Sequence, residues 1–401
     1  MRSQKLFFNN VEGDRLAARL DLPADARPVA YVLFAHCFTC SKNLKTVGNI
    51  SRALTEARLG VLRFDFTGLG ESEGDFEDTN FSSNVEDLIA AAEFLQQRFQ
   101  APALLVGHSL GGAAVLQAAV RLPSVQAVAT LGAPAEPEHV SHLLASRREE
   151  IERHGVAEVQ LDGRSFRIRK HFLDDLAASR MSDTIAALNR ALLILHSPLD
   201  RIVGIDNAAR IFQAARHPKS FISLDDADHL LSREADSHYA GQVLAAWARR
   251  YLPQIDESGE SGQIHQDNRV VTRTEADGFR TQISVRGHTL VADEPPSVPG
   301  GTDTGPTPYD LLLAGLGACT SMTLGMYARH KQLPLEAATV YLTHDRIHAR
   351  DCQDCQAQEG KIDQIQREIE LHGDLDPQQR QRLLEIADRC PVHKTLHIRR
   401  S

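Results

Sequence analysis

The feature that most constrains the fold is an alternation of short, continuous apolar segments with segments of helical periodicity between residues 31 and 251. The apolar segments have the length of strands, and they lie at 31–34, 61–65, 103–106, 127–131, 191–196 and 220–224. Helical patterns lie between or after them, at 45–57, 81–98, 109–121 and 239–251. Strands that are apolar along their whole length are typical of a parallel sheet covered on both faces. The pattern therefore predicts a mostly parallel sheet with helices on both faces, preceded by an antiparallel pair at 5–8 and 16–22.

The length of the chain and one polar segment predict two domains. A chain of 401 residues exceeds what one hydrophobic core usually organises. The segment 253–265 is rich in Gly, Ser and acidic residues and has almost nothing to bury, which is typical of a linker. We therefore predict a first domain over 1–252 and a second over 266–401.

Two further patterns refine this division. Residues 134–187 are rich in charge and interrupt the alternation, which predicts a cap inserted above the sheet. A hairpin pattern within this segment lies at 159–161 and 166–168. The second domain mixes strands and helices, which predicts an α+β unit. Its strand patterns lie at 270–274, 279–285, 288–292, 338–348 and 366–372, and its helical patterns at 308–330 and 377–389.

Charge and cysteine content narrow the partners and the compartment. A net charge of −9 argues against a nucleic-acid partner, because phosphate binding needs clustered Lys and Arg. Leu311–Ala328 is uncharged and long enough to span a membrane. Its Gly, Cys, Ser and Thr residues favour the buried central helix of a domain instead. We therefore expect no membrane partner. The N-terminus lacks the apolar run of a signal peptide, and six cysteines in such a chain indicate a reducing compartment, the cytoplasm.

Gly107-His-Ser109-Leu-Gly111 fits the pattern G-x-S-x-G of a nucleophile elbow. It directly follows the strand pattern 103–106 and directly opens a helical pattern rich in Gly and Ala. A sharp strand-to-helix turn with small neighbours is what lifts the serine hydroxyl to the carboxyl edge of a sheet. Ser109 is therefore the predicted nucleophile.

A serine nucleophile needs a base, and the base needs an orienting acid. The expected order along the chain is Ser, acid, His. His229, just past the last strand pattern, and Asp200, four residues past the strand 191–196, match that order. Other acids compete with Asp200, and other histidines are weaker alternatives to His229. They are Asp206, Asp225, Asp226 and Asp228, and His196 and His217.

The oxyanion that forms on acylation needs backbone N–H donors. The predicted donors are Phe38, in the loop after the strand pattern 31–34, and Leu110, which follows the nucleophile. With these motifs, residues 5–252 resemble α/β-hydrolases of the serine esterase/aminopeptidase type, which implies hydrolysis of small acyl esters or amides. Where those proteins usually have His-Gly, this chain has His36-Cys37, and we interpret Cys37-x-x-Cys40 as small turn residues rather than a metal or redox pair.

The second domain resembles the OsmC/organic hydroperoxide resistance family over 266–401. The resemblance rests on two segments, Gly305-Pro-Thr-Pro-Tyr-Asp-Leu-Leu-Leu-Ala-Gly-Leu-Gly-Ala-Cys319-Thr and Ile386-Ala-Asp-Arg-Cys390-Pro-Val-His. It implies that a peroxide oxidises Cys319 to a sulfenic acid, that Cys390 condenses with it to a disulfide, and that a cellular dithiol reduces the pair again. It also implies a homodimer formed through this domain and an organic hydroperoxide as substrate.

The family usually places a Glu, which holds an Arg against the thiolate, where this chain has Tyr309 followed by Asp310. The matching Arg is Arg273, Arg280 or Arg286, between which the sequence does not choose. A domain that only dimerises or binds a ligand is the alternative function.

Cys352-Gln-Asp-Cys355, close to His344 and His348, is a second CxxC pattern. It fits a regulatory disulfide or a metal clip, and the single local pair favours the former. We expect neither domain to need a metal or an organic cofactor.

Overall fold

The computed structural model describes residues 1–37, 41–161, 164–252, 269–348 and 361–396. The chain forms two compact units. One comprises Met1–Arg273 and Ser284–Thr289, and the other comprises Thr274–Ile283 and Leu290–Ser401. The predicted linker 253–265 lies outside the described residues.

The first unit is built on an eight-stranded sheet with the order β1-β2-β4-β3-β5-β6-β9-β10. The strands of this unit are β1 (Arg2–Asn9), β2 (Arg15–Leu22), β3 (Ala30–Ala35), β4 (Leu59–Phe64), β5 (Leu104–His108), β6 (Ala127–Leu131), β7 (Val156–Leu161), β8 (Arg164–Arg169), β9 (Ala191–His196) and β10 (Lys219–Ser223). β1 and β2 pair antiparallel, β2 pairs antiparallel with β4, and every pairing from β4 to β10 is parallel. The predicted α/β-hydrolase fold with a mostly parallel sheet is confirmed.

Helices cover both faces of this sheet. They are α1 (Lys45–Glu56), α2 (Phe81–Arg98), α3 (Leu110–Ala119), α4 (Arg148–His154), α5 (Lys170–Ala178), α6 (Met181–Ala186), α7 (Asp206–Ala214) and α8 (Glu234–Ala248). Side chains of α2, α3 and α7 share one apolar core with Leu33 and Leu105, whereas α1 and α8 share the opposite core with Val32 and Val106. Successive strand residues thus enter opposite cores, which explains the continuous apolar runs.

The charged insertion lies between β6 and β9. It contains α4, α5, α6 and the antiparallel hairpin β7–β8, in which Val156 is paired with Arg169. Phe166 and Ile168 of the hairpin are buried and belong to the core on the α2 and α3 side of the sheet. The insertion is therefore packed onto the hydrolase unit by its own apolar side chains.

The described residues from 269 onwards form an α+β structure. It consists of β11 (Val270–Thr274), β12 (Thr281–Val285), β13 (His288–Ala292), α9 (Pro308–Lys331), β14 (Ala337–His348), β15 (Lys361–His372), α10 (Pro377–Ala387) and α11 (Pro391–Leu396). β11, β12 and β13 form a three-stranded sheet, and β14 and β15 pair antiparallel. Leu324 and Ala328 of α9 pack on Leu383, Ile386 and Ala387 of α10.

The prediction that α9 is a buried central helix is wrong for the single chain. Its fully buried positions are Leu316, Thr320, Leu324 and Ala328, which recur every four residues and form one stripe. In the described part of the chain, α9 is the one helix long and apolar enough to cross a membrane, and only 28% of its most apolar 18-residue window is buried. Its remaining faces carry small and apolar residues to the surface.

Candidate active sites

Ser109 occupies a strained turn between β5 and α3. Its φ of 56° and ψ of −127° lie outside the regions that non-glycine residues prefer. The turn is stabilised by a hydrogen bond from the Ser109 N–H to the carbonyl of Leu131 at 2.8 Å. A Cβ atom at Gly107 would lie 2.3 Å from the Gly111 carbonyl oxygen, so the elbow needs glycine there. The local sequence thus dictates the turn, and the turn presents the serine hydroxyl to the neighbouring side chains.

The structure brings the three predicted hydrolase residues into one hydrogen-bonded chain. The Ser109 hydroxyl lies 3.0 Å from Nε2 of His229, and Nδ1 of His229 lies 2.7 Å from Oδ2 of Asp200. Donation from Nδ1 to the carboxylate leaves Nε2 free to accept the serine proton. This is the geometry that a serine nucleophile, a general base and an orienting acid require.

The Asp200 carboxylate is held ionised in a buried position. Its second oxygen accepts the backbone N–H groups of Ile202 and Val203, each at 2.9 Å. Burial alone raises the pKa of Asp200, but the hydrogen bond and charge of His229, together with the two backbone donors, outweigh it and lower the pKa. Asp200 therefore stays charged while it orients His229.

The alternative acids and histidines have other roles or positions. Asp206 begins α7, and Asp228 accepts the backbone N–H of Ser232 at 2.8 Å. His196 is buried and its Nε2 donates to the Val203 carbonyl at 2.7 Å, next to the Asp200 loop. His217 is exposed in the loop before β10.

Two residues that sequence reasoning missed hold the His229 side of the site. Nε2 of His108 donates to the backbone carbonyl of His229 at 2.7 Å, and burial, helped by the charge of His229, lowers the pKa of His108 to about 3, so this ring is neutral at pH 7. Gly132 follows β6 with a φ of 54°, and a Cβ atom there would lie 3.2 Å from Oδ2 of Asp200 and 3.3 Å from Nδ1 of His229. Glycine at 132 therefore leaves room for the Asp–His pair.

The oxyanion-hole prediction is only partly covered by the described residues. Leu110 is the first residue of α3, and the first N–H groups of a helix have no acceptor within it, so its amide is available to an oxyanion. Phe38 and Cys40 lie outside the described residues. Cys37 is in a disulfide bond, which corrects its interpretation as a simple small turn residue.

Lys42, a few residues further along the chain, is a buried lysine that pairs with two carboxylates. Nζ of Lys42 lies 2.5 Å from Oδ2 of Asp65 and 2.7 Å from Oε2 of Glu71, and the Lys42 N–H donates to Oδ1 of Asp65 at 2.6 Å. The hydrogen bond from Lys42 is the main cause that lowers the pKa of Glu71 to about 2. Lys42 is almost fully buried, so both carboxylates are needed to compensate its charge.

An open cavity of about 340 Å³ adjoins His229. It is lined by Leu199, Arg201, Ile202, Asp226, Ala227, Asp228, His229 and Leu230. Leu199 and Ile202 are exposed despite their apolar side chains. The cavity thus has apolar surface beside His229, as ligand sites usually do.

In the second unit, Cys319 and Cys390 are free cysteines in hydrogen-bond contact with each other. Cys319 lies on α9 and is partly exposed, whereas Cys390 lies between α10 and α11 and is fully buried. The structure therefore brings together the two thiols predicted to form a redox pair.

The residues at the family's Glu position have other contacts. The Tyr309 ring stacks on His344 with centroids 4.2 Å apart, and its hydroxyl bonds Arg346. The Asp310 carboxylate accepts the Thr307 hydroxyl at 2.7 Å and the Thr307 N–H at 2.9 Å, which caps α9. Asp310 is thus engaged at the helix start.

Arg367 of β15, which is none of the three predicted arginines, donates a hydrogen bond to the hydroxyl of Thr320, the neighbour of Cys319 in the sequence. Which arginine supports Cys319 stays a prediction. In the sequence, Arg367 stands among alternating polar residues of a strand, a pattern that reads as a solvent face. No motif could have identified it.

The second CxxC pattern remains a prediction, because Cys352 and Cys355 lie outside the described residues. His344 bonds Oδ1 of Asp363 at 3.0 Å. The residues that the structure describes contain no group of three or more His, Cys, Asp or Glu that could hold a metal ion.

Comparison with known proteins identifies both parts of the chain. Residues 32–271, more than half of the chain, match the model of the alpha/beta hydrolase family. The chain belongs to that family. Residues 301–400 match the model described as OsmC-like protein. The chain is therefore a fusion of an esterase-like α/β-hydrolase domain and an OsmC-like domain.

Two of the individual relatives described below are an esterase domain and a thioesterase, and the third has no assigned activity. The esterase domain of a Rhodothermus marinus protein, known from its crystal structure, is 54% identical with a TM-score of 0.53, and the match covers 63% of this chain and 100% of that domain. A mitochondrial palmitoyl-protein thioesterase from Pongo abelii is 24% identical over 184 residues, 44% of this chain and 58% of the relative. An uncharacterized protein from Rickettsia prowazekii is 29% identical over 138 residues, 34% of this chain and 57% of the relative. The chain thus spans little more than half the length of these two curated relatives.

We predict that Asp200→Asn lowers the turnover of ester substrates by about 10⁴-fold, because an amide in place of the carboxylate favours the wrong tautomer of the histidine. Asp206→Asn is the matched control, since Asp206 lies in the same region but does not bond His229. Steady-state kinetics on both variants measures the difference. A larger loss at Asp206 than at Asp200 would assign the acid to Asp206.

Proposed function

We propose that the first domain is a serine hydrolase that cleaves small acyl esters or amides through Ser109, His229 and Asp200. The single observation that carries this proposal is the continuous hydrogen-bonded chain from the Ser109 hydroxyl through His229 to the Asp200 carboxylate. The strained backbone at Ser109 supports it, because such strain is typical of functional sites. The 54% identity to an esterase domain points to the same chemistry.

The reaction follows from the positions of these groups. Nε2 of His229 takes the Ser109 proton as Oγ attacks the acyl carbon, and Asp200 stabilises the imidazolium that forms. The N–H of Leu110 stabilises the developing oxyanion. His229 then gives the proton to the leaving alcohol or amine, and water releases the acyl group by the same steps in reverse.

The cavity beside His229 supports a small substrate with an apolar part. Its volume of about 340 Å³ is at the lower end of the range for ligand sites, and Leu199, Ile202 and Leu230 line it. A curated relative is a palmitoyl-protein thioesterase, so thioesters belong in the substrate panel. The acyl chain that is hydrolysed fastest then defines the substrate class.

We predict that a fluorophosphonate probe labels Ser109, and that Ser109→Ala abolishes both labelling and ester cleavage. Loss of a triad nucleophile normally costs several orders of magnitude in turnover. Ser232→Ala, which changes an exposed serine three residues beyond His229, should keep full activity. Ester cleavage by Ser109→Ala within tenfold of the unchanged protein would show that another residue is the nucleophile.

We propose that the second domain is a thiol peroxidase that reduces organic hydroperoxides with Cys319 and Cys390. The contact between two free thiols, one partly exposed and one buried, supports this function. A cellular dithiol would then return the disulfide to two thiols. The alternative is that this domain only dimerises or binds a ligand. If it is a peroxidase, we expect a slow one, because Tyr309 bonds Arg346 and has no carboxylate that could hold a guanidinium at Cys319.

We predict that one equivalent of an organic hydroperoxide converts Cys319 and Cys390 to a mutual disulfide, which mass spectrometry of non-reduced peptides detects. Cys390→Ser should leave a sulfenic acid on Cys319 that dimedone labels, because the resolving thiol is absent. Cys319→Ser should abolish peroxide consumption and leave ester cleavage unchanged. If both thiols stay reduced in excess hydroperoxide while Ser109 is active, the domain is a dimerisation or binding module.

We propose further that the protein is a homodimer through the OsmC-like domain. The outer face of α9 exposes Leu312, Met322 and Met326, and Tyr341 of β14 is also exposed. Exposed apolar residues on one helix are typical of a surface that another chain covers.

We predict that light scattering gives twice the chain mass at micromolar concentration. Met322→Glu combined with Met326→Glu should give the mass of one chain, because charges at 66% and 64% exposed positions cannot be buried in an interface. Tyr239→Glu on α8, at 49% exposure, is the control and should leave the mass unchanged. A single-chain mass for the unaltered protein would contradict the dimer.

A further inference from the structure

His108 is a buried side chain that links the backbone of the proposed nucleophile to the backbone of the proposed base. It is the last residue of β5, it directly precedes Ser109, and it is almost fully buried. The neighbouring strand β6 fixes this end of β5, because His108 is paired with Leu131 and the Ser109 N–H donates to the Leu131 carbonyl at 2.8 Å. The His108 ring therefore extends from a rigid point of the sheet.

The ring reaches the loop that carries His229. Nε2 of His108 lies 2.7 Å from the backbone carbonyl oxygen of His229, and the centroids of the two imidazole rings lie 5.1 Å apart. Because a carbonyl oxygen only accepts hydrogen bonds, Nε2 of His108 carries the proton of this bond. The bond thus acts on the backbone of the residue whose side chain bonds Ser109.

These contacts close a ring of bonds around the nucleophile and the base. One arm is the side-chain contact, in which Nε2 of His229 lies 3.0 Å from the Ser109 hydroxyl. The other arm runs along the backbone from Ser109 to His108 and then through the His108 N–H to the His229 carbonyl. The second arm determines where the backbone of His229 lies relative to the serine. A misplacement of about 1 Å in a reacting pair can cost on the order of 10²-fold in rate, so this arm bears on catalysis.

Other contacts hold the residues around the base in this loop and do not involve His108. The Ser232 N–H donates to the Asp228 carboxylate at 2.8 Å, and the Thr46 hydroxyl donates to the Leu230 carbonyl at 2.7 Å. The loop keeps both of these anchors when the side chain at 108 is changed. We therefore expect a change at His108 to shift the base rather than to unfold the loop.

The His108 ring is an uncharged donor. Burial is the largest influence on it and lowers its pKa to about 3, and the titratable groups that face it are His229, Asp200 and His36. Its other nitrogen, Nδ1, is buried without a hydrogen-bond partner among the described residues. A neutral ring with one N–H adds no positive charge beside the imidazolium that His229 forms during the reaction.

We propose that His108 is a positioning residue for acyl transfer, whose N–H fixes the backbone of His229 so that the imidazole stays within reach of the Ser109 hydroxyl. The inference rests on the proposed serine hydrolase function and adds a residue that acts through the base. His108 itself neither contacts the reacting atoms nor transfers a proton.

The test uses full-length variants with and without a donor at position 108. His108→Met removes the donor and keeps an unbranched side chain of similar length, whereas His108→Gln keeps an N–H donor. His171→Met is the matched control, because Nε2 of His171 makes the same kind of bond, to the Thr79 carbonyl at 3.1 Å, outside the triad. Each rate is divided by the number of sites that a fluorophosphonate titrates, so unfolded protein does not contribute.

We expect His108→Met to lower kcat for p-nitrophenyl acetate by about 10- to 100-fold. KM should change by less than about twofold, because the lost bond orients the base and does not bind the substrate. His108→Gln should recover most of the lost kcat, since its amide can donate to the same carbonyl. His171→Met should leave both kcat and KM unchanged.

A double-variant comparison shows whether His108 acts through His229. In His229→Ala the residual hydrolysis no longer depends on the position of an imidazole. Adding His108→Met to His229→Ala should therefore lower the residual rate by less than about twofold. A direct effect of His108 on the turn at Ser109 would instead multiply the two losses.

Nitrogen NMR of the unaltered protein tests the bond without any variant that has to be active. The histidine signal that disappears in His108→Gln or His108→Met belongs to His108. We expect a neutral ring that is protonated on Nε2 from about pH 5 to about pH 8. A ring that is protonated on Nδ1, or that titrates in this range, overturns the inference even if no variant at 108 folds.

The outcomes separate this inference from the proposed function. A kcat loss in His108→Met that His108→Gln recovers, and that disappears in the His229→Ala background, supports the inference. Unchanged kcat in His108→Met, an equal loss in His108→Gln, or multiplied losses in the double variant overturn it while Ser109→Ala stays inactive. Full activity of Ser109→Ala rejects the proposed function itself.

Discussion

The hydrolase domain depends on the turn at Ser109, where a strand of the central sheet passes into a helix through a strained, positive-φ serine. Adjacent glycines make the turn sterically feasible, as the 2.3 Å approach at Gly107 shows. The turn places the hydroxyl at the carboxyl edge of the sheet, where the chain also leaves β6, β9 and β10. Because parallel strands end at the same edge, Gly132, Asp200 and His229 follow three of these strands and meet there. Such a backbone conformation costs about 1–3 kcal/mol. The buried apolar layers on both faces of the sheet offset this cost.

Much of this arrangement could be predicted from local patterns, and the rest could not for identifiable reasons. Continuous apolar strands and the G-x-S-x-G turn predict the sheet and its nucleophile, since both are local properties of the chain. Asp200 is distinguished from its neighbours by its distance from a strand end. His108, Lys42 and Arg367 could not be predicted in their roles, because each acts on residues far away in the sequence. The burial of α9 was predicted wrongly for a related reason. Its composition is that of a buried helix, but only one stripe of residues is buried within the single chain.

The two proposed functions require different ways of activating a nucleophile. A serine hydroxyl is far too weak an acid to ionise at neutral pH, and the structure places His229 3.0 Å from it, with the ionised Asp200 behind the histidine. A thiol ionises more readily and needs no comparable base. The fusion thus joins an esterase-like domain with an OsmC-like domain whose proposed chemistry uses no group of the first.

The central claim is that Ser109 carries the acyl group between substrate and water. Rapid mixing of the protein with excess p-nitrophenyl acetate, followed by an acid quench and peptide mass spectrometry, tests it most directly. We predict that acetyl appears on the peptide that contains Ser109 within the first turnover, and that His229→Ala does not accumulate it. Acetyl found instead on Cys319 or Cys390, with Ser109 unmodified during steady hydrolysis, would show that Ser109 does not carry the acyl group.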